Sequence, residues 1–137
     1  APCALGGVIN KDSLPKLKCD IIAGAANNQL EYEDIGTQLH SKGILYAPDY
    51  VINAGGLINI SNELKGYNKQ LALQDVDRIY DILRSIFKQS NKADAATNYT
   101  SKTIADQRLR ASKQIKFYNT YDNCFLNNQK KETNNIV

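Results

Sequence analysis

The sequence has no methionine and no tryptophan, a single histidine, three prolines and three cysteines. Cys3, Cys19 and Cys124 are odd in number and far apart, and none forms a CxxC pair, which argues against a zinc site or a redox dithiol. Reduced thiols in a cytoplasmic protein are the expectation. No apolar run approaches the length needed to cross a bilayer, and no signal-peptide pattern opens the chain. The net charge of +3 is spread out, with no long basic block, so neither nucleic acid nor a membrane is an expected partner. The glycine-rich GxGxxG phosphate turn is missing as well. With alanine at position 1 and no methionine, the chain reads as an internal or C-terminal fragment of a longer protein.

What is present suits one domain with a real core: 137 residues, 42% hydrophobic and 23% charged. The first hundred residues repeat one theme, an apolar strand, a loop of small residues and amides, then a helix. APCALGGVIN reads as the tail of a strand, and Asp12 or Ser13 as the cap of a short helix at Leu14–Leu17. Residues 19–23 read as a short buried strand, 33–42 as a polar helix stopped by Gly43, and 44–46 as the next strand. Alternation of this kind predicts βαβ units and a parallel sheet. From Asn68 to about Ser90, Ala72, Val76, Ile79, Tyr80, Leu83, Ile86 and Phe87 recur at helical spacing and form one core-packing face. A further helix is expected near Thr100, capped by Thr100 or Ser101. Residues 116–137, rich in asparagine, read as a poorly ordered tail after a domain over 1–115.

In an open parallel sheet, ligands bind outside the carboxyl ends of the strands. Three such ends carry small residues or amides: Pro2-Cys3-Ala4, Gly24-Ala25-Ala26-Asn27-Asn28, and Asn53-Ala54-Gly55-Gly56. Small residues let a ligand approach the backbone, and an amide offers both a donor and an acceptor. The carboxamide of Asn27 or Asn53 suits a neutral ligand edge such as that of nicotinamide.

The stretches PCALGGVIN (2–10), IIAGAANNQL (21–30), GILYAPDYVINAGGLINISNEL (43–64) and, more loosely, IYDILRSIF (79–87) resemble the nicotinamide-binding domain of the glutamate/leucine/phenylalanine/valine dehydrogenase family, most closely its leucine dehydrogenases. The resemblance runs to about residue 112 and is strongest over the first 67. It implies an α/β fold, the C-terminal part of a Rossmann-type parallel-sheet domain followed by C-terminal helices. It also implies oxidative deamination of an amino acid, with hydride passing to NAD. Cys3 and Ala4 are expected along the dinucleotide through their backbone. Ala25, Ala26 and Asn27 are expected on the nicotinamide-ribose side, with Asn27 also near the substrate and Asn53 close by. Gly55 and Gly56 are expected to let the following helix pack tightly. Leu57 and Ile60 share a helix face that, by resemblance, meets the substrate side chain. Glutamate-specific members have a serine where this chain has Ile60, so an apolar substrate, leucine or another branched-chain amino acid, is implied. The family's catalytic lysine and aspartate belong upstream, so no catalytic residue is assigned on this chain, and the fragment alone is expected to be inactive. Family members are commonly homo-oligomers.

Simpler readings stand beside these. Cys3 has no partner in His40, a surface residue of a polar helix, and its thiol reads as inert. Asp49, after a proline, reads as a turn or helix-cap residue, and Asn28 as a helix cap. Arg108 and Arg110 read as a solvated helix face. The alternative to an NAD-dependent dehydrogenase is a non-catalytic nucleotide-binding or interaction module. A GxGxxG turn and a lysine- and aspartate-bearing substrate domain upstream would separate the two.

Overall fold

The computed structural model describes residues 1–64 and 66–112, and the expected asparagine-rich tail lies outside them. The chain divides into two compact units, Ala1–Lys102 and Thr103–Val137. In the second, the described residues 103–112 are helical, and Arg108 and Arg110 are exposed on them, as expected of a solvated face.

The first unit is built in the order Leu14–Lys16 (a 3-10 turn), β1 (Ile21–Ile22), α1 (Asp34–Ser41), β2 (Leu45–Tyr46), α2 (Asp49–Ile52), α3 (Gly55–Glu63) and α4 (Lys69–Ala93). Residues 97–102 are again helical. β1 and β2 pair in parallel, Ile21 opposite Leu45 and Ile22 opposite Tyr46, and α1 is the crossover between them. Ile9 forms a further parallel bridge to Leu30. Gly43 ends α1 at φ 71°, a conformation that glycine adopts without strain.

The core is one cluster: Ile9, Leu14, Ile22, Ile35, Leu39, Ile44 and Tyr46, with Leu17 and Leu30 packed against it. It fills the space between the sheet and α1. The expected buried strand at 19–23 is buried on one face only. Ile22 is in the core, whereas Ile21 is 62% exposed. Successive strand residues point to opposite faces, and the face carrying Ile21 borders an open apolar groove of about 420 Å³ with Leu5, Val8 and Leu17.

Three local expectations are corrected. The opening residues are not a strand. They lie along the loop after β1, with the Ala26 N–H donating to Pro2 O at 3.0 Å and the Gly7 N–H to Asn28 O at 2.8 Å. Ser13 stands at the N-cap position of the 3-10 turn but makes no side-chain capping bond, because its hydroxyl is turned back onto the preceding loop, donating to Val8 O at 2.7 Å and accepting the Asn10 N–H at 2.9 Å. The helix expected near Thr100 begins at residue 97, so Thr100 and Ser101 lie inside it, their hydroxyls donating back to Ala96 O and Asn98 O.

α4 matches its predicted start, and Asn68 caps it by accepting from the N–H groups of Gln70 and Leu71. Of its expected apolar face, Ala72 and Ile86 are buried and Val76, Ile79, Leu83 and Phe87 half-buried, but Tyr80 is 69% exposed. Tyr80 sits one residue, or about 100°, round the helix from Ile79, which turns it off the buried stripe. Both α2 and α3 pack on α4.

Candidate functional site

The loop after β1 and the short helix after β2 meet at the carboxyl ends of the two strands. Four backbone and side-chain contacts set this place. Asn53 caps the C-terminus of α2, and its Nδ2 donates to Asn27 Oδ1 at 2.5 Å and to Ala25 O at 3.5 Å. One turn earlier on α2, Asp49 accepts the Asn28 N–H at 2.5 Å through Oδ2 and the Tyr46 hydroxyl at 3.1 Å through Oδ1. Residues four apart on a helix share a face. Asp49 and Asn53 therefore grip consecutive loop residues from one side of a single helical turn.

The polarity of the amide pair follows from this geometry. A carbonyl can only accept, so the Ala25 contact requires the nitrogen of Asn53 on that side. The same nitrogen meets Asn27 Oδ1. Asn27 Nδ2 and Asn53 Oδ1 are then the donor and the acceptor that this contact leaves over. A primary carboxamide, which carries one acceptor and one donor edge, complements that arrangement. The donor set therefore fits the nicotinamide expected from sequence.

The expected site residues divide into two groups. Ala25, Asn27 and Asn53 come together in one hydrogen-bonded cluster. Ala26 belongs to the same loop but is buried, its N–H held by Pro2 O. Gly24 makes that contact sterically possible, since a Cβ there would stand 2.0 Å from the Pro2 oxygen. Cys3 and Ala4 follow Pro2, are exposed, and line the apolar groove rather than the amide cluster. Leu57 and Ile60 stand on α3, 73% and 57% exposed. They offer an apolar face to whatever meets α3, not a closed pocket.

Two expectations fail at the glycines and at Asn28. A Cβ on Gly55 would meet only Val76 at 4.0 Å, an ordinary contact, and one on Gly56 would meet nothing. Neither glycine is required by packing among the described residues. Asn28 caps no helix: α1 begins at Asp34, and Asn28 has φ 52°, turning the loop so that its N–H faces Asp49. Asp49 is the first residue of α2 rather than its cap, which is Pro48; it is 8% exposed, and its carboxylate serves the neighbouring loop. Only the β1–β2 register brings it there, and a PD pair in a sequence carries no sign of that.

Electrostatics leave no base poised near neutrality among the shifted groups. Burial, then the Asp49 carboxylate, pushes the Tyr46 phenol well above its ordinary range. Burial likewise raises Tyr50, whose hydroxyl lies 2.5 Å from Ser101 Oγ. His40 is half-buried and pairs with Asp94 at 3.1 Å, away from the amide cluster, so the histidine and Cys3 form no dyad. Among the described residues no group of three or more His, Cys, Asp or Glu could hold a metal ion, and no helix is long and apolar enough to cross a membrane.

An α/β fold with a small parallel sheet and a hydrogen-bonded amide cluster beside its strand ends is thus on this chain. Its sequence matches the profile of the Glutamate/Leucine/Phenylalanine/Valine dehydrogenase family over residues 1–123. The chain belongs to that family. It is 51% identical over 117 residues to an L-tryptophan dehydrogenase of Nostoc punctiforme, covering 85% of this chain and 33% of the relative. It is 49% identical over 118 residues to a phenylalanine dehydrogenase of Bacillus thermotolerans (85% and 31%) and 46% identical over 113 residues to a leucine dehydrogenase of Bacillus cereus (82% and 31%). The crystal structure of L-tryptophan dehydrogenase from Nostoc punctiforme superposes with a TM-score of 0.78 at 50% identity, covering 82% of this chain and 34% of that one. The chain thus spans about a third of the length of these relatives.

Proposed function

We propose that the protein carrying this chain oxidatively deaminates an apolar L-amino acid with NAD. An amino acid, NAD⁺ and water give the 2-oxo acid, ammonium, NADH and a proton. Bound NAD supplies the acceptor for the hydride that leaves the amino-acid Cα. The chain's own part is binding and orientation. Asn27 Nδ2 and Asn53 Oδ1 receive the carboxamide edge of the nicotinamide, with Ala25 and Ala26 backing the ring and ribose and Asn27 also near the substrate. Cys3 and Ala4 run along the dinucleotide through their backbone. Leu57 and Ile60 present the apolar face that meets the substrate side chain. Proton transfer belongs to residues outside this chain, which leaves the isolated chain inactive, and the whole protein is cytoplasmic and homo-oligomeric by analogy with the family. The domain reading of 1–115 with a tail over 116–137 is retained in this proposal.

The observation that carries the proposal is the hydrogen-bonded pair Asn27–Asn53 at the strand ends of a chain belonging to this family. The finer choice of substrate rests on Ile60. A buried carboxylate beside an isoleucine has no partner, and that cost excludes glutamate. Two branched residues favour leucine or another branched-chain amino acid, while the tryptophan and phenylalanine dehydrogenases among the relatives keep larger side chains in play. Ile60→Ser in the full-length protein is expected to lower kcat/KM for leucine about tenfold, equivalent to losing about 1.4 kcal/mol of apolar contact. Unchanged rates for both leucine and glutamate would remove Ile60 from the substrate pocket.

A further inference from the structure

We infer that Gln29 is a positioning residue for the nicotinamide crevice, holding the loop that carries Ala25 and Asn27 in its ligand-facing orientation. The inference rests on the dehydrogenase reading above. Gln29 is fully buried, and its side-chain nitrogen donates to two carbonyls of the loop, Gly24 O at 2.7 Å and Ala26 O at 2.9 Å. Both of its amide hydrogens are therefore used. The amide oxygen is buried without a hydrogen-bond partner. Flipping the amide would not help, because it would set an oxygen against two carbonyl oxygens. The loop thus takes two donors from Gln29 and offers nothing back.

The consequence falls on the residue between the two bound carbonyls. With Gly24 O and Ala26 O drawn inward to Gln29, Ala25 O is the carbonyl left to meet Asn53. Asn27 follows directly and meets Asn53 with its side chain. Gln29 itself is anchored by its backbone, since its carbonyl accepts the Ile9 N–H at 3.0 Å beside the Ile9–Leu30 bridge. One buried amide therefore ties the crevice loop to a fixed strand bridge. An apolar side chain of similar length would fill the same space and leave the two peptide groups free to rotate.

The test uses Gln29→Met in the full-length protein, which keeps the length and removes both donors. At a temperature where circular dichroism shows the variant folded, kcat is expected to fall at least tenfold and Kd for NADH to rise. A lower melting temperature with kcat, KM and Kd all within twofold of the parent would overturn the inference, because that is all a merely structural role produces. Backbone amide exchange supplies the second readout: residues 25–28 are expected to exchange at least tenfold faster in the variant than in the parent, and unchanged exchange there overturns the inference. A parent protein that neither binds NADH nor turns over any amino acid overturns the dehydrogenase reading instead, and the exchange measurement then decides the role of Gln29 in the loop. Should Gln29→Met not fold, the side-chain amide hydrogens of Gln29 in the parent protein decide: exchange far slower than in exposed glutamines supports the clamp, and ordinary rates sink it.

Discussion

At the scale of single residues, Asp49 ties the loop after β1 to the start of α2. Its carboxylate joins the end of β2, the start of α2 and the Asn28 turn, through two hydrogen bonds made almost out of water's reach. Hydrogen bonds to a charged group contribute more than neutral ones, and removing the acceptor leaves a donor stranded. Asp49→Ala is expected to destabilise the protein by about 2–3 kcal/mol in urea denaturation, and Asp49→Asn by less, since its amide oxygen still accepts. Tyr46 gives a second, pH-resolved check. Its phenol titrates above the ordinary 10.0, so the unfolded chain ionises first as the solution becomes alkaline. Its contribution to stability is complete below about pH 10 and is lost as the pH rises further. Stability followed by denaturant midpoint is expected to decline above that pH, and Tyr46→Phe to make the decline shallower. An equally steep decline in the variant would assign it to other groups. Asp49 and Tyr46 also show what a sequence withholds. Asp49 is 21 residues from Asn28, and only the strand register brings them together.

Elements were legible where their causes are local. The 3.6-residue apolar period foretells α4, which runs over Lys69–Ala93 against an expected span of about 68–90. Gly43 stops α1 for a conformational reason that a sequence carries openly. The helix at residue 97 starts ahead of its local sequence signals because its start is fixed by tertiary contacts: Thr97 Oγ1 donates to Tyr46 O at 2.7 Å and Asn98 Nδ2 to Glu33 O at 3.0 Å. The same contact inverts an ordinary rule in α1. Glycine inside a helix is normally inferior to alanine by about 1 kcal/mol. A Cβ on Gly36, however, would stand 2.2 Å from Asn98 Oδ1, and Asn98 is buried and held on Glu33. Gly36→Ala is therefore expected to lower the thermal midpoint rather than raise it. A higher midpoint would mean that Asn98 yields without loss.

For the whole molecule, the parallel pairing of the strands was foreseeable from the strand–loop–helix alternation, and the family from four stretches of sequence. The amide pair at the centre was foreseeable as two candidates, Asn27 and Asn53, but not as a pair with fixed polarity. The substrate is where the chain says least: Leu57 and Ile60, proposed above to meet its side chain, are exposed, and the chain spans about a third of the length of its relatives. The measurement that bears most directly on the account is NADH formation by the full-length protein with NAD and each of a panel of L-amino acids, with ammonium and 2-oxo acid quantified alongside. Leucine, or another apolar amino acid, should be oxidised with NADH, ammonium and 2-oxo acid formed in equal amounts, and glutamate should not. Glutamate as the best substrate, or no NADH with any amino acid, would contradict it.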